Sequence, residues 1–234
     1  MNDPLRFSEF FERTFPRMLA RAVMLCGHRQ NAEDAVQEAY AEALRCWGQV
    51  GRYDSPEAWV CKVMKQRLFA GKKNWWRRCT PTTPELLELL LPIATTAEEA
   101  AEARGVLHAL ALLPLRQRQV LVLHCLQGMR YQEIAEELGL SVGGVAANIA
   151  KARQNLQRLL ASTPERKRSP ADQLTSGASR VARWPITDRL DQVAAVLRAT
   201  ESWLVECFER DGRAMERIRS VILHRSTDIK KKSR

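Results

Sequence analysis

Two clusters of side chains in this sequence have the chemistry to hold a nucleic acid. Lys62, Lys65, Arg67, Lys72, Lys73, Arg77 and Arg78 crowd one stretch, with the amide of Gln66 and the indoles of Trp75 and Trp76 among them. Cations neutralise phosphates and indole faces stack on unpaired bases, so the mixture suits a single strand. The plain alternative for the cations is a solvated face, and for the adjacent tryptophans that one packs inward. The second cluster is Ser141, Asn148, Lys151, Arg153 and Gln154, with Asn155 and Arg158 behind it. An Asn or Gln amide can bond an adenine edge twice, while Lys or Arg suits guanine or phosphate.

Such side chains need helices to present them, and the apolar spacing supplies candidates. Ile134, Ala135 and Leu138 form one short apolar face, and Val145, Ile149, Ala152, Leu156 and Leu159 form a second at intervals of three and four. Gly139 between them can take the left-handed backbone that ends a helix, Leu140 fills the corner, and Ser141 can accept a bond from the next helix's first amides. This is a helix-turn-helix pattern, although any three-helix bundle with a glycine corner produces similar spacing. Upstream, Val120, Leu121, Leu123 and Leu126 predict a supporting helix that begins after Pro114 and stops near Gly128.

The basic cluster extends from a helix that Ser55, Pro56 and Glu57 open, with Trp59, Val60, Val63, Met64 and Leu68 on its apolar face. Before it, residues 47–54, WGQVGRYD, combine two glycines with turn-favouring polar residues and predict a loop. Earlier still, Asn31 can cap a helix whose first turn holds Glu33 and Asp34, where carboxylates suit the positive end of the helix dipole. Its apolar side is Ala35, Val36, Ala39, Tyr40, Ala43 and Leu44, which leaves Asp34, Gln37, Glu38 and Glu42 facing solvent or a partner.

Residues 31–46, NAEDAVQEAYAEALRC, with residues 55–78 and residues 110–159, resemble the two conserved regions of the extracytoplasmic-function branch of bacterial sigma factors. In that family the first region carries a motif like DAEDLVQETF. The second carries LPxxxRxVLxLxxxxGxSYxEIAxxLGxSxGTVxxRxxRAxxxL, and Leu113 through Leu156 follow it with exceptions. The resemblance covers roughly residues 5–160. It implies that the acidic helix docks on the clamp coiled coil of core RNA polymerase, with Asp34, Gln37 and Glu38 as contacts. It implies also that the loop captures an unstacked base of a promoter's minus-10 element, for which Gln49, Arg52, Tyr53 and Asp54 could line a pocket, unless the loop is a plain surface turn with Tyr53 packed beneath it. Lys62, Lys65, Gln66, Lys72, Lys73, Trp75 and Trp76 would complete the minus-10 surface, and Ser141, Asn148, Lys151, Arg153 and Gln154 would read the minus-35 element.

The partners implied are core RNA polymerase and promoter DNA, and the family admits an anti-sigma factor. Gln66 stands where the family usually has asparagine, which keeps the amide but lengthens its reach. The family's GTVxSRxxRAR becomes GGVAANIAKAR at residues 143–153, losing a threonine, a serine and an arginine. Each lost bidentate contact forfeits roughly 1 to 3 kcal/mol of discrimination, so reading by this helix should be weak or altered.

Composition points the same way. Lys and Arg number 37 against 27 Asp and Glu, a net charge of +10, and the pI is near 9.7. The partner should be polyanionic. The six cysteines, at 26, 46, 61, 79, 125 and 207, form no CxxC pair and no ligand-like cluster with the histidines. They read as reduced small apolar residues of a cytosolic protein, with no metal or cofactor site, and His124 beside Cys125 points to a different helix face. No phosphate loop or organised triad suggests an enzyme, and neither a signal peptide nor a membrane-spanning run stands out.

The fold expected is all-α: a domain over 1–78, a flexible linker over 79–105 containing the apolar patch 86–93, and a helix-turn-helix domain over 106–161. A tether over 162–184 leads to a helical extension over 185–234 with a basic tail. The extension reads either as an ordinary solvated hairpin or as a regulatory element docked on the preceding domains. The competing functional reading is a helix-turn-helix regulator that binds duplex DNA without polymerase, in the cytoplasm and on the nucleoid like the first.

Overall fold

Phe7, Phe10, Phe11 and Phe15 recur at helical spacing ahead of Met18, Leu19, Ala22 and Leu25, and all are buried along α1, Pro4–Cys26. A computed structural model describes residues 4–70, 97–162, 190–212 and 215–222, and every regular element among them is a helix. The described residues divide between two compact units, Met1–Ala111 with Ala199–Arg234, and Leu112–Arg198.

Gly27, at φ 71°, turns the chain out of α1, and α2 follows as Arg29–Arg45. The sequence places its cap at Asn31; the helix instead starts three residues earlier, with His28 as cap and its Nδ1 accepting from the Asn31 amide at 3.4 Å. The left-handed glycine leaves one extended residue between the helices, so Asn31, Glu33 and Asp34 already lie inside α2. Its inner face is as the spacing predicts, with Ala35, Val36, Ala39, Tyr40, Ala43 and Leu44 buried. Tyr40 is sealed among Phe10, Phe11 and Phe15, whose ring centroids lie 6.0, 5.0 and 6.2 Å away. Thr14 Oγ1 donates to the Phe10 carbonyl at 2.6 Å, so at 2.7 Å the Tyr40 hydroxyl must be donor to Thr14.

Residues 47–54 depart from the expected loop. Trp47–Val50 is a helical turn, α3, because Trp47 and Val50 at i and i+3 both bury, the indole meeting Phe7 edge-on at 5.2 Å and Phe10 at 5.0 Å. Gly51 closes it tightly, since a Cβ there would stand 3.0 Å from the Trp47 carbonyl oxygen. Helix α4, Pro56–Ala70, starts where Ser55 predicts, with Ser55 Oγ accepting from the Ala58 amide at 3.2 Å. Val60, Cys61, Met64 and Leu68 form its buried stripe.

Helix α5, Ala97–Leu112, takes in residues 97–105 that the sequence assigned to the linker; a stretch so rich in Ala and Glu favours a helix without needing a strong apolar face. The apolar patch at 86–93 and the tether lie outside the described residues. In the second unit, α6 is Leu115–Cys125, α7 is Tyr131–Leu138 and α8 is Val142–Ser162. Ile134 and Leu138 from α7 and Val145, Ile149, Ala152 and Leu156 from α8 are buried with Val120, Leu121 and Leu123 of α6.

The corner between α7 and α8 is built as its residues dictate. Gly139 sits at φ 64°, ψ 45°, and Ser141 Oγ accepts from the Gly144 amide at 3.0 Å. Nothing would meet a Cβ at Gly139 within 4 Å, so an alanine there suffers only from its backbone. We expect Gly139→Ala to destabilise the second unit by about 1 to 2 kcal/mol, and Gly139→Asn by less, in denaturant unfolding. An alanine variant as stable as the parent would contradict this account of the corner.

Residues 190–222 supply α9, Leu190–Arg210, and a last helix α10 over 215–222. The unit boundary falls within α9, between Arg198 and Ala199, so the remainder of α9 and all of α10 belong with α1 to α5. Among the described residues no helix is long and apolar enough to cross a membrane.

Candidate nucleic-acid and protein-binding surfaces

Alternate burial along α2 leaves a polar ridge outward. Asp34 and Glu38 are exposed and Gln37 is half-buried, one helical turn apart along the same side. Glu38 Oε2 meets Arg67 Nε of α4 at 3.4 Å, which brings this acidic ridge against the basic face of α4. Both partners are about half exposed, so the bond is weak and readily exchanged.

On α4, Lys62 and Gln66 are exposed at i and i+4, forming one ridge with Arg67 beside it. Lys65 does not join them. It is only 8% exposed and engaged within the fold, because position 65 follows Cys61 by one turn and precedes Leu68 by three residues on the inward side. A charge count along a sequence does not register this, since a lysine stem is apolar enough to lie on a core stripe. Arg52, Tyr53 and Asp54 are exposed in the turn after α3, and Gln49 is exposed on α3 itself. Tyr53 keeps 41% of its surface in solvent, so it is not packed beneath the turn. Lys72, Lys73, Trp75 and Trp76 lie outside the described residues.

On α8 the structure divides the expected readers. Lys151, Gln154 and Arg158 are exposed along one outer ridge with Ala147, while Ala146 and Ala150 are exposed beside it. Asn148 is turned onto its own helix, its Nδ2 donating to the Gly144 carbonyl at 2.7 Å, so one of its two amide hydrogens is spent there and the other, with Oδ1, is left for a base. Asn155 Nδ2 donates to Gln117 Oε1 of α6 at 2.7 Å, and Arg158 donates to Asn155 Oδ1 at 2.8 Å, so Asn155 serves the packing of the unit. Arg153 is half-buried, between Ile149 and Leu156 on the inward flank, and does not share the ridge of Lys151 and Gln154. Ser141 is exposed with its oxygen committed to the cap.

The cysteines behave as small apolar residues. Cys26, Cys61, Cys125 and Cys207 are buried and Cys46 is half-buried, and these five form no disulfide. Burial pushes the Cys125 thiol up to about 11 against the opposing pull of Arg198, so it stays protonated at neutral pH. The neighbouring His124 is engaged elsewhere, its Nδ1 at 2.9 Å from the Met129 carbonyl oxygen and its ring edge-on to Tyr131. Among the described residues no three His, Cys, Asp or Glu side chains are placed to hold a metal.

A helix-turn-helix presenting a polar ridge, and a separate helical body with an acidic ridge beside a basic face, define an all-helical protein equipped for DNA and for a protein partner. Sigma-70 region 2 matches residues 10–77, and sigma-70 region 4 matches residues 103–156. The ECF RNA polymerase sigma factor SigM of Mycobacterium tuberculosis is 30% identical over 159 residues, covering 68% of this chain and 79% of the relative. The RNA polymerase sigma-E factor of Streptomyces coelicolor is 26% identical over 161 residues, covering 68% of this chain and 89% of its own. A solved structure of the sigma factor RpoE with the anti-sigma factor NepR from Bartonella quintana aligns at a TM-score of 0.47 and 20% identity, over 68% of this chain and 99% of that one. This chain belongs to the extracytoplasmic-function RNA polymerase sigma factors of the sigma-70 family.

Proposed function

We propose that this chain is a dissociable initiation subunit that binds core RNA polymerase, carries it to promoters and helps open the strands there. The core performs the chemistry and the chain supplies recognition, working in the cytoplasm at the nucleoid. The observation that carries this reading is the polar ridge of exposed Asp34 and Glu38 with half-buried Gln37, on a helix whose opposite face is buried in its own domain. A regulator that needed only DNA would have no use for an acidic ridge beside its basic face.

Residues 1–78 would take the polymerase and the minus-10 element, with Gln49, Arg52, Tyr53 and Asp54 around an extruded base and Lys62 and Gln66 beside the strand. Lys72, Lys73, Trp75 and Trp76 would continue that track. Residues 106–161 would take the minus-35 element, with Lys151 and Gln154 as the outer readers, Ser141 and Arg153 nearer the phosphates, and Asn148 offering its remaining amide hydrogen and Oδ1. An anti-sigma factor is the third partner of this assembly, since a subunit that dissociates from core can be held off it.

Run-off transcription with purified core and genomic templates tests the reading. Defined start sites that require the chain are expected. A chain that retards duplex DNA but neither associates with core nor directs initiation would overturn the proposal in favour of a polymerase-independent regulator.

A further inference from the structure

The far end of the chain returns to its beginning within the first unit. Arg21 Nε lies 2.7 Å from Glu201 Oε1, Arg29 Nη2 lies 2.7 Å from Asp211 Oδ2, Arg217 Nη2 lies 3.2 Å from Glu33 Oε2, and Arg219 Nη1 lies 2.9 Å from Glu12 Oε1. Arg219 also donates to Ser8 Oγ at 2.9 Å, and the Arg29 guanidinium stands 5.5 Å from the Phe208 ring centroid. Among these bonds Leu204, Cys207, Phe208, Ile218 and Ile222 are buried. An apolar centre within a charged rim is how separate proteins meet.

The rim has an order. The face formed by α1 and the first two turns of α2 offers two arginines, Arg21 and Arg29, and two glutamates, Glu12 and Glu33; the returning chain answers with acids on and just after α9 and arginines on α10. Complementary charge fixes which helix pair can seat there and in which direction. The seat is not filled to the density of a core, for a cavity of about 230 Å³ opens between Leu5, Phe7, Phe11, Leu44, Arg219 and Ile222. Arg217 and Arg219 keep 62% and 38% of their side-chain surface in solvent, where salt screens them.

We propose that α1 and the first two turns of α2 form a protein-docking surface which this chain's own residues 199–212 and 215–222 occupy as a detachable, salt-sensitive latch. The partner the surface fits is an amphipathic helix pair with acids on its first helix and arginines on its second, and the resident pair keeps others off it. The latch leaves Asp34 and Glu38 of the polymerase ridge exposed while it is closed, and they lie around α2 from Glu33, the residue it grips, while Gln37 stands one helical turn from Glu33.

Cys207 reports the latch. It is buried at 2% exposure, and burial pushes its thiol up to about 11, so opening restores both access and ordinary acidity. Alkylation of the full-length chain, read by mass spectrometry at each cysteine, should accelerate at Cys207 by about tenfold in Arg217→Glu/Arg219→Glu at low salt. The parent should show a rise of the same sign as salt increases. Cys61, buried in the same unit between α2 and α4, should not change. Adding Glu12→Arg recreates one pair with reversed polarity and should recover part of the protection. Equal protection of Cys207 in parent and variant at every salt concentration would make the extension a fixed part of the domain and overturn the proposal. Joint acceleration at Cys61 and Cys207 would also overturn it, as general unfolding. A concentration-dependent dimer with Cys207 still protected would assign the seat to a second copy.

Discussion

Replacing Asp34 and Glu38 together by lysine should weaken binding to core RNA polymerase by about a hundredfold, near 3 kcal/mol. Both side chains are exposed, so neither reversal disturbs the core under α2, and the only described bond lost to Glu38 is the half-exposed pair with Arg67. Lysines at these positions would set four cations, with Lys62 and Arg67, along a ridge now of mixed sign. Repulsion across a binding interface costs more than simple truncation, because the partner's own charges are then buried against like charges. Competition binding to core with a labelled parent chain measures the effect, and circular dichroism checks the fold. An affinity within about twofold of the parent would remove the α2 ridge from the interface.

The largest stability effect should come from Tyr40→Ala. The ring is fully buried among Phe10, Phe11 and Phe15, and its hydroxyl donates to Thr14. Emptying such a site costs about 3 to 5 kcal/mol, since three packed phenylalanines fixed along one helix cannot all collapse into the space. Against a typical domain stability of about 5 to 15 kcal/mol, this brings the first domain near unfolding at growth temperature. Tyr40→Phe keeps the ring and loses only the bond to Thr14, whose own hydrogen is already given to the Phe10 carbonyl, so about 1 kcal/mol is expected. Burial also pushes the tyrosine's pKa well above its ordinary value, so the phenol should stay unionised to high pH until the domain opens. Denaturant unfolding followed by tryptophan fluorescence, in which buried Trp47 contacts Phe7 and Phe10, distinguishes the two variants. Similar losses for both would show that the hydroxyl, not the ring volume, dominates.

Elements with a strong period were legible before any coordinates. The buried faces of α2 and α8, the glycine corner and the serine cap follow from local rules: which residues tolerate a left-handed turn, which can accept from an orphan amide, and how often an apolar side chain recurs. Boundaries set by a neighbour were not. The start of α2 depends on where Gly27 releases α1, and the helical turn at Trp47–Val50 exists because two phenylalanines from α1 give the indole a place to bury. Among the site residues, exposure was legible for Lys151 and Gln154. It was not for Lys65 or Arg153, because a basic residue on the edge of an apolar stripe lays its stem inward or outward according to what it packs against.

By itself, then, the sequence determined an all-helical chain with a helix-turn-helix, an acidic ridge and a basic face, because periodicity and capping act over a few residues and need no partner. Only the tertiary structure decided that Asn148 folds back on Gly144, that Asn155 is tied to Gln117, and that Glu201, Asp211, Arg217 and Arg219 pair with α1 and α2. The contacts between Arg219 and Ser8 or Glu12 join residues more than 200 positions apart, and charge composition in the extension fits a solvated hairpin as well as a docked one. Local chemistry limits what each segment can be. Which segment satisfies which charge is settled when the chain brings them within a bond's length.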